Sequence, residues 1–331
     1  MKGDNDIMAL VPPSFIRLGS TCFQSEKGNT VTVSKHRRLL ATIGFGAASV
    51  VVALCCSAGI AADLASIQNL QKDNAIYDSL PQDIKTAGVI NAATEADYPP
   101  FDFVDEQNQL IGADLDISAA LSRIMGVTIK NNKTEFSGII PGIQAKRFDV
   151  GISSMGDYIS REETMDFVDY YRGGVSFLVR AATPDPKSID DVCGTVVGVL
   201  KGTSSEKMAN ENSMKCVSMG KKPIQVNAYP TQNDAVLALT SGRIESVSGD
   251  AATNGYSAKL VGSALKNVAT PWNGGEWIAG IAVIKGSALH QPLYDAMAAL
   301  IKSGVYAEIL QKWGLEDGAL PAPMKNQGTK G

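Results

Sequence analysis

The chain has 331 residues, 44% hydrophobic and 19% charged, which is a globular composition long enough for one large or two ordinary domains. A net charge of −4 gives no basis for nucleic-acid binding, so no nucleic acid is expected among the partners. With only two histidines, His36 and His290, a histidine-built triad or metal cluster is all but excluded, and neither metal nor cofactor is expected.

Residues 1–30 are polar and irregular. Export signals begin close to a chain's N-terminus, so this segment is expected to lie upstream of the true start or to be disordered. The basic run Lys35-His-Arg-Arg38, the apolar run over 39–56 and the small residues over 57–62 follow in the order of a signal peptide. We assign it to 31–62, with cleavage near Ala61/Ala62. The apolar run is about long enough for a membrane anchor, but its Gly/Ala content and small-residue end favour cleavage. Lipoprotein anchoring through Cys55 or Cys56 is the lesser alternative, because neither preceding residue, Leu54 nor Cys55, is the small one that lipid attachment needs. The mature protein is thus expected in the periplasm. It keeps two cysteines, Cys193 and Cys216, and an even count in an oxidising compartment points to a disulfide, with two buried free thiols as the alternative.

In the mature chain, residues 63–84 read as a leader holding at most a short helix. A buried strand is predicted over 89–93. The loop over 94–101 follows, since Pro99 and Pro100 forbid continuation as helix or central strand. Phe103-Val104 and Leu110-Ile111 flank a polar turn, as in a hairpin. Ile117, Leu121 and Ile124 recur at helical spacing over 112–125, with Gly126 at the stop position. A short strand over 127–129 precedes a helix that Ser137 is expected to cap.

The stretch 147–171 then carries a buried strand (148–152), a small-residue loop (153–156) and a helix start, with Ser160 and Glu163 in the form of a capping box. That places Arg161 in a first helical turn, beside free backbone N–H groups. A cation there is locally unfavourable unless an anion completes the site, for instance a carboxylate held by the guanidinium; a solvated surface arginine is the alternative. Past Gly173-Gly174, a strand is expected over 175–180, a proline-bearing linker over 181–187, and strands over 196–200, 224–228 and 244–248, each followed by a helix. Thr231 should cap the second of these helices, and Gly249-Asp250 opens the third. Beyond Pro271 come a strand over 280–285 and helices carrying Leu293, Met297, Leu300 and Ile301, then Trp313.

Alternating strands and helices imply an α/β fold with parallel-rich sheets flanked by helices. Two such blocks, with a return after Pro271, give two lobes: 85–176 joined by 273–318, and 177–272, with 319–331 left as a polar tail. Ligands in open α/β sheets sit past the carboxyl ends of strands. Tyr98, Ser153, Ser154, residues 202–204 and Asp250 all fall there.

Those residues also carry a resemblance. Tyr98-Pro-Pro-Phe101, Leu110-Ile-Gly-Ala-Asp-Leu-Asp116, Ile139-Ile-Pro-Gly-Ile-Gln144, Arg161 with Asp166-Phe167 and Tyr170-Tyr171, Val197-Gly-Val-Leu-Lys-Gly-Thr203, Gly242-Arg-Ile-Glu245 with Asp250, and Lys312-Trp313-Gly314 occur in order across 88–314. Together they resemble the extracytoplasmic polar amino-acid-binding proteins of ABC importers. The resemblance implies a type II periplasmic-binding fold of two lobes and two hinge crossings, a free amino acid as ligand and membrane permease subunits as partners. It implies that Arg161 holds the α-carboxylate with Ser154, Thr203 and Ser204, that Asp250 takes the α-ammonium, and that Ser153 and Gly156 stand among the ligand-binding residues. Tyr98 and Phe136 match positions that flank the ligand side chain, and Glu95 a position that meets a basic or amide head. Gly156 and Tyr158 depart from the pattern, standing where the family usually has a hydroxyl and near a usual threonine.

A polar or basic L-amino acid is therefore the expected ligand, with no catalytic residues. The alternative is an exported enzyme on the same scaffold, resembling cyclohexadienyl or arogenate dehydratases, for which Glu95 and Asp157 are the candidate general acids.

Overall fold

A computed structural model describes residues 64–270 and 276–329, all within one compact unit. The readings made on 1–63, the signal peptide and cysteines 55 and 56 included, lie outside the described residues. No helix among those described is long and apolar enough to cross a membrane.

The principal sheet runs in the order Gln225–Tyr229, Val196–Leu200, Ser246–Asp250, Met165–Arg180, Glu276–Ile284, Val150–Gly151, Val89–Thr94 and Thr128–Lys133. Its two ends are parallel: Val89–Thr94 pairs in parallel with Thr128–Lys133 and Val150–Gly151, and Val196–Leu200 with Gln225–Tyr229 and Ser246–Asp250. Between them lies a 16-residue strand, Met165–Arg180, that serves both lobes. Its first half pairs antiparallel with Glu276–Ile284 and its second half with Ser246–Asp250 and Leu265–Ala269.

This continuity corrects the expected break before 175. Gly173 and Gly174 lie inside the strand, paired with Trp277 and Glu276, and the chain passes from lobe to lobe without leaving extended geometry. Gly173 has a steric reason. A Cβ there would stand 2.6 Å from the Trp277 ring and 2.9 Å from an Asp250 carboxylate oxygen. The strand Leu265–Ala269 had no periodic signal of its own and is held by its ladder to the long strand.

Each lobe has its own core. Ile117, Leu121 and Ile124 of helix Ala113–Met125 are buried with Leu293, Met297 and Leu300 of helix His290–Lys302, as their spacing requires. The helix ends at Gly126, in the left-handed conformation at φ 66°. In the other lobe Val197, Val199, Met208 and Cys216 are buried together, and Cys193 and Cys216 form a disulfide. Thr203 and Thr231 cap helices Ser204–Ser218 and Gln232–Thr240 through their hydroxyls.

Other readings need correction. The leader contains three short helices, Ala65–Asn69, Asn74–Ser79 and Gln82–Ala87, whose Ile67, Ile76 and Ile84 join the core. Ser137 caps nothing; it lies within a short 3-10 turn, Phe136–Gly138, ahead of helix Ile139–Gln144. Residues 319–329 are not a free tail. Ala319–Lys325 adds a strand against Met165–Arg180, and Gln327 and Gly328 donate backbone N–H groups to Asp169 and Glu162. Apolar Leu320 is buried there, a signal that the proline-rich composition of the segment hides.

Candidate functional site

The crossing strand positions the site. At 173–175 it hands over from pairing with Glu276–Ile284 to pairing with Ser246–Asp250, so Trp277 and Asp250 arrive at one point from opposite lobes. Around that point lies a cavity walled by Tyr98, Phe136, Ser154, Gly156, Tyr158 and Arg161 on one side and by Leu200, Thr203, Ser204, Ser205 and Asp250 on the other, with Val175 and Trp277 at the crossing. Of the residues expected to bind ligand, Tyr98, Phe136, Ser154, Gly156, Arg161, Thr203, Ser204 and Asp250 are brought to this one cavity.

Arg161 reaches it differently from expectation. Helix Ile159–Glu162 is a single turn that Ser160 does not cap; its N-cap is Tyr158, and no side chain caps it. The Arg161 backbone N–H is occupied by the Tyr158 carbonyl. What matters is the side chain. It donates from one guanidinium nitrogen to the Gly156 carbonyl (2.7 Å) and from the other to the Gly202 carbonyl (3.1 Å). Phe136 and Tyr158 stand 5.6 and 5.2 Å from the guanidinium carbon, ring centroid to carbon. Among the described residues it has no carboxylate within ion-pair distance. Burial lowers its pKa, a direction that leaves an arginine charged.

Asp250 is its counterpart. It N-caps helix Ala251–Val261, one oxygen accepting from the backbone N–H groups of Ala252 (2.7 Å) and Thr253 (3.1 Å). Its other oxygen is buried without a hydrogen-bond partner among the described residues. Burial outweighs the two N–H groups and pushes its pKa up to about 7. The Ser154 hydroxyl is likewise buried and unpartnered, while the Ser154 backbone N–H donates to Asp114.

Two expected residues stand elsewhere. Ser153 does not face the cavity. Its hydroxyl donates to Asp102 (2.8 Å) and accepts from the Glu95 backbone N–H (3.1 Å), so it ties loop to strand. Glu95 does not line that cavity but a second one, with Asp97, Lys133, Thr231 and Asn233. Both its carboxylate oxygens are buried and unpartnered among the described residues, and burial, then the charge of Asp97, pushes its pKa up to about 8. Tyr98 lines the first cavity; burial, then the charges of Asp250 and Glu95, raise the pKa of its hydroxyl.

The lobes also touch directly. The Tyr158 hydroxyl donates to Ser204 Oγ (2.7 Å), the Asn233 backbone N–H to Asp97 (3.2 Å), and the Phe103 and Tyr256 rings lie 5.6 Å apart. Sequence reasoning missed Trp277, Val175, Leu200 and Ser205. Trp277 has no motif and is delivered by a partner strand about a hundred residues from its pairing residue, so only register could reveal it. The expected general acid Asp157 lies off the cavity, beside Asp169 and Glu162, where burial and those two carboxylates raise its pKa.

Residues 90–316 match the bacterial extracellular solute-binding proteins, family 3. The arginine-binding protein ArgT of Corynebacterium glutamicum is 28% identical over 294 residues, covering 88% of this chain and 96% of that protein. An ancestral arginine-binding protein solved with bound arginine superposes with a TM-score of 0.62 at 31% identity, covering 68% of this chain and 98% of that one. An ancestral amino acid-binding protein described as a precursor of cyclohexadienyl dehydratase gives 0.63 at 28% identity, over 70% and 98%.

Proposed function

Because the chain belongs to the bacterial extracellular solute-binding proteins of family 3, we propose that it captures a free L-amino acid between its lobes and delivers it to the permease of an ABC importer, with no chemistry of its own. One observation carries the reading. Arg161, half-buried, and Asp250, buried, wall one cavity, and neither is paired with an opposite charge among the described residues. Burying an unpaired charge costs several kcal/mol unless something compensates. A zwitterion answers both ends at once, its α-carboxylate on Arg161 and its α-ammonium on the free oxygen of Asp250.

In this reading Ser154, Thr203 and Ser204 complete the carboxylate site. Thr203, Ser204 and Ser205, at the start of helix Ser204–Ser218, line the cavity, and a helix start favours an anion. Gly156 contributes its carbonyl, which fixes the guanidinium. Tyr98 and Phe136 flank the ligand side chain. Glu95, past Tyr98, meets its far end. A buried carboxyl with two free oxygens favours a cationic or amide head, so arginine is the preferred ligand, with ornithine, glutamine or an opine as the other members of the class. Two arginine-binding relatives support the same choice. Ligand contacts to both lobes would bias the molecule towards lobe closure.

The enzyme alternative has less to stand on. Neither of its two candidate acids, Asp157 and Glu95, lines the cavity that holds Arg161 and Asp250. We take residues 31–62 as the export signal, 85–176 with 273–318 as one lobe and 177–272 as the other, with the mature chain in the periplasm.

A thermal-shift panel of L-amino acids tests the reading, because a ligand at a hundred times its Kd adds about 2.7 kcal/mol of stability. Arginine is expected to give the largest shift. A panel without any shift, or turnover of prephenate or arogenate by the purified protein, would overturn it.

A further inference from the structure

The mechanism above leaves Tyr158 without a task, yet its position is closely specified. A Cβ built on Gly156 would stand 2.4 Å from Tyr158 Cε2, 2.8 Å from Cζ and 2.9 Å from Oη. The tyrosine ring therefore occupies the space in which any side chain at 156 would begin. A side chain at 156 and the Tyr158 ring in this position exclude each other: with a hydroxyl-bearing residue at 156, the ring must move. The ring is buried, 5.2 Å from the Arg161 guanidinium carbon, and its hydroxyl donates to Ser204 Oγ on the other lobe.

A second geometric fact gives the contact its meaning. Outside the inner cavity lies a groove lined by Ser160, Gly202, Glu206, Lys207 and Asn210. The residues common to cavity and groove are Tyr158, Arg161, Thr203 and Ser204. The Tyr158–Ser204 hydrogen bond spans the boundary, so it forms a partition at the Arg161 end of the cleft. The neighbouring backbone is anchored from behind, where the Ile159 N–H donates to the Thr329 carbonyl (3.1 Å).

We propose that Tyr158 is the gate and specificity residue of the carboxylate end: its hydroxyl latches lobe to lobe through Ser204, and its ring walls the cavity so that a free α-carboxylate fits and a carboxyl-extended ligand, such as a dipeptide, does not. The proposal rests on the amino-acid reading above. The latch belongs to hydrogen bonding and the wall to ring volume, so two variants separate them.

The probes are L-arginine and L-arginylglycine, by calorimetry and stopped-flow. Tyr158→Phe keeps the wall and loses the latch. It is expected to raise the arginine off-rate by roughly three- to tenfold, the worth of one net hydrogen bond, with the on-rate little changed. Tyr158→Ala loses the wall. It is expected to narrow the preference for arginine over the dipeptide by at least about tenfold, or 1.4 kcal/mol. Gly156→Ser is expected to weaken arginine binding, and Gly156→Ser with Tyr158→Thr to restore it, which a general loss of stability would not do. Melting of each variant without ligand separates folding from binding. A wild type that binds arginine while Tyr158→Phe keeps its off-rate and Tyr158→Ala keeps its preference would overturn the gate alone. A wild type that binds no amino acid overturns the functional reading, and the gate with it.

Discussion

In one cavity the Arg161 guanidinium donates to two backbone carbonyls, those of Gly156 and Gly202, and Asp250 has one oxygen free; in the other, the Glu95 carboxyl is buried with neither oxygen partnered among the described residues. Carbonyls orient an arginine without neutralising it, so the first cavity carries a fixed positive charge. The acids respond to burial by holding their protons, with pKa values of about 8 and 7. The cleft therefore pairs a permanent cation with carboxyls that titrate near neutrality. A ligand's carboxylate meets a prepared partner, whereas its cationic groups must draw protons off the protein. Affinity should then depend on the Arg161 end and selectivity and pH response on the Glu95 end.

The largest effect should follow from Arg161→Ala. Loss of the fixed cation is expected to weaken binding of every amino acid by about 2–5 kcal/mol, because the ligand carboxylate is then desolvated without a partner. Calorimetry that returns wild-type affinity would break the comparison at its root. Asp250→Asn keeps the shape and removes the anion, and should cost about 1.5–3 kcal/mol for all α-amino acids alike. An Asp250→Asn loss that varied with the ligand side chain would place this residue at the wrong end of the ligand.

Glu95→Gln should be selective where those two are uniform. The preference for arginine over glutamine is expected to fall by roughly tenfold, with glutamine affinity nearly unchanged. Equal loss for both ligands would remove Glu95 from side-chain recognition.

The smallest effect per step is that of pH. Glu95 holds its proton up to about pH 8 in the folded chain, against 4.5 as its ordinary value. The folded state thus binds more protons than the unfolded one between those limits, so stability without ligand should fall as pH rises from about 4.5 to 8. Arginine favours the ionised carboxyl and reverses the sign: its affinity should rise with pH over the upper part of that window, at most about tenfold per unit, with proton release to buffer. Calorimetry in buffers of different ionisation enthalpy measures that release, and Glu95→Gln should diminish it. Arginine binding that weakens as pH rises towards 8 would contradict the assignment.

Much of this protein was legible in one dimension, for reasons of local physics. The strand–helix alternation, helix Ala113–Met125 with its stop at Gly126, and the threonine cap at 231 are set by neighbours within a few residues, where periodicity and capping act. The charged pair of the site, Arg161 and Asp250, was reached through the resemblance, from motifs each local in sequence. Contacts between distant segments were not legible. Ser153 follows a strand end like its neighbour Ser154, yet one hydroxyl is taken by Asp102, 51 residues away, and the other faces the cavity. Gly173 and Gly174 read as a break and lie within a continuous strand, because pairing with Glu276–Ile284 keeps them extended. The segment after 318 reads as polar and is bound by its ladder to the crossing strand.

The sequence by itself determined the α/β fold class and the family, since composition, period and motif are properties of short windows. Tertiary structure alone decided that Glu95 lines a second cavity and not the one that holds Tyr98 and Asp250, and that the ring of Tyr158 fills the space above Gly156. Those outcomes depend on burial and on which distant atoms are brought into contact, which no window of the chain contains.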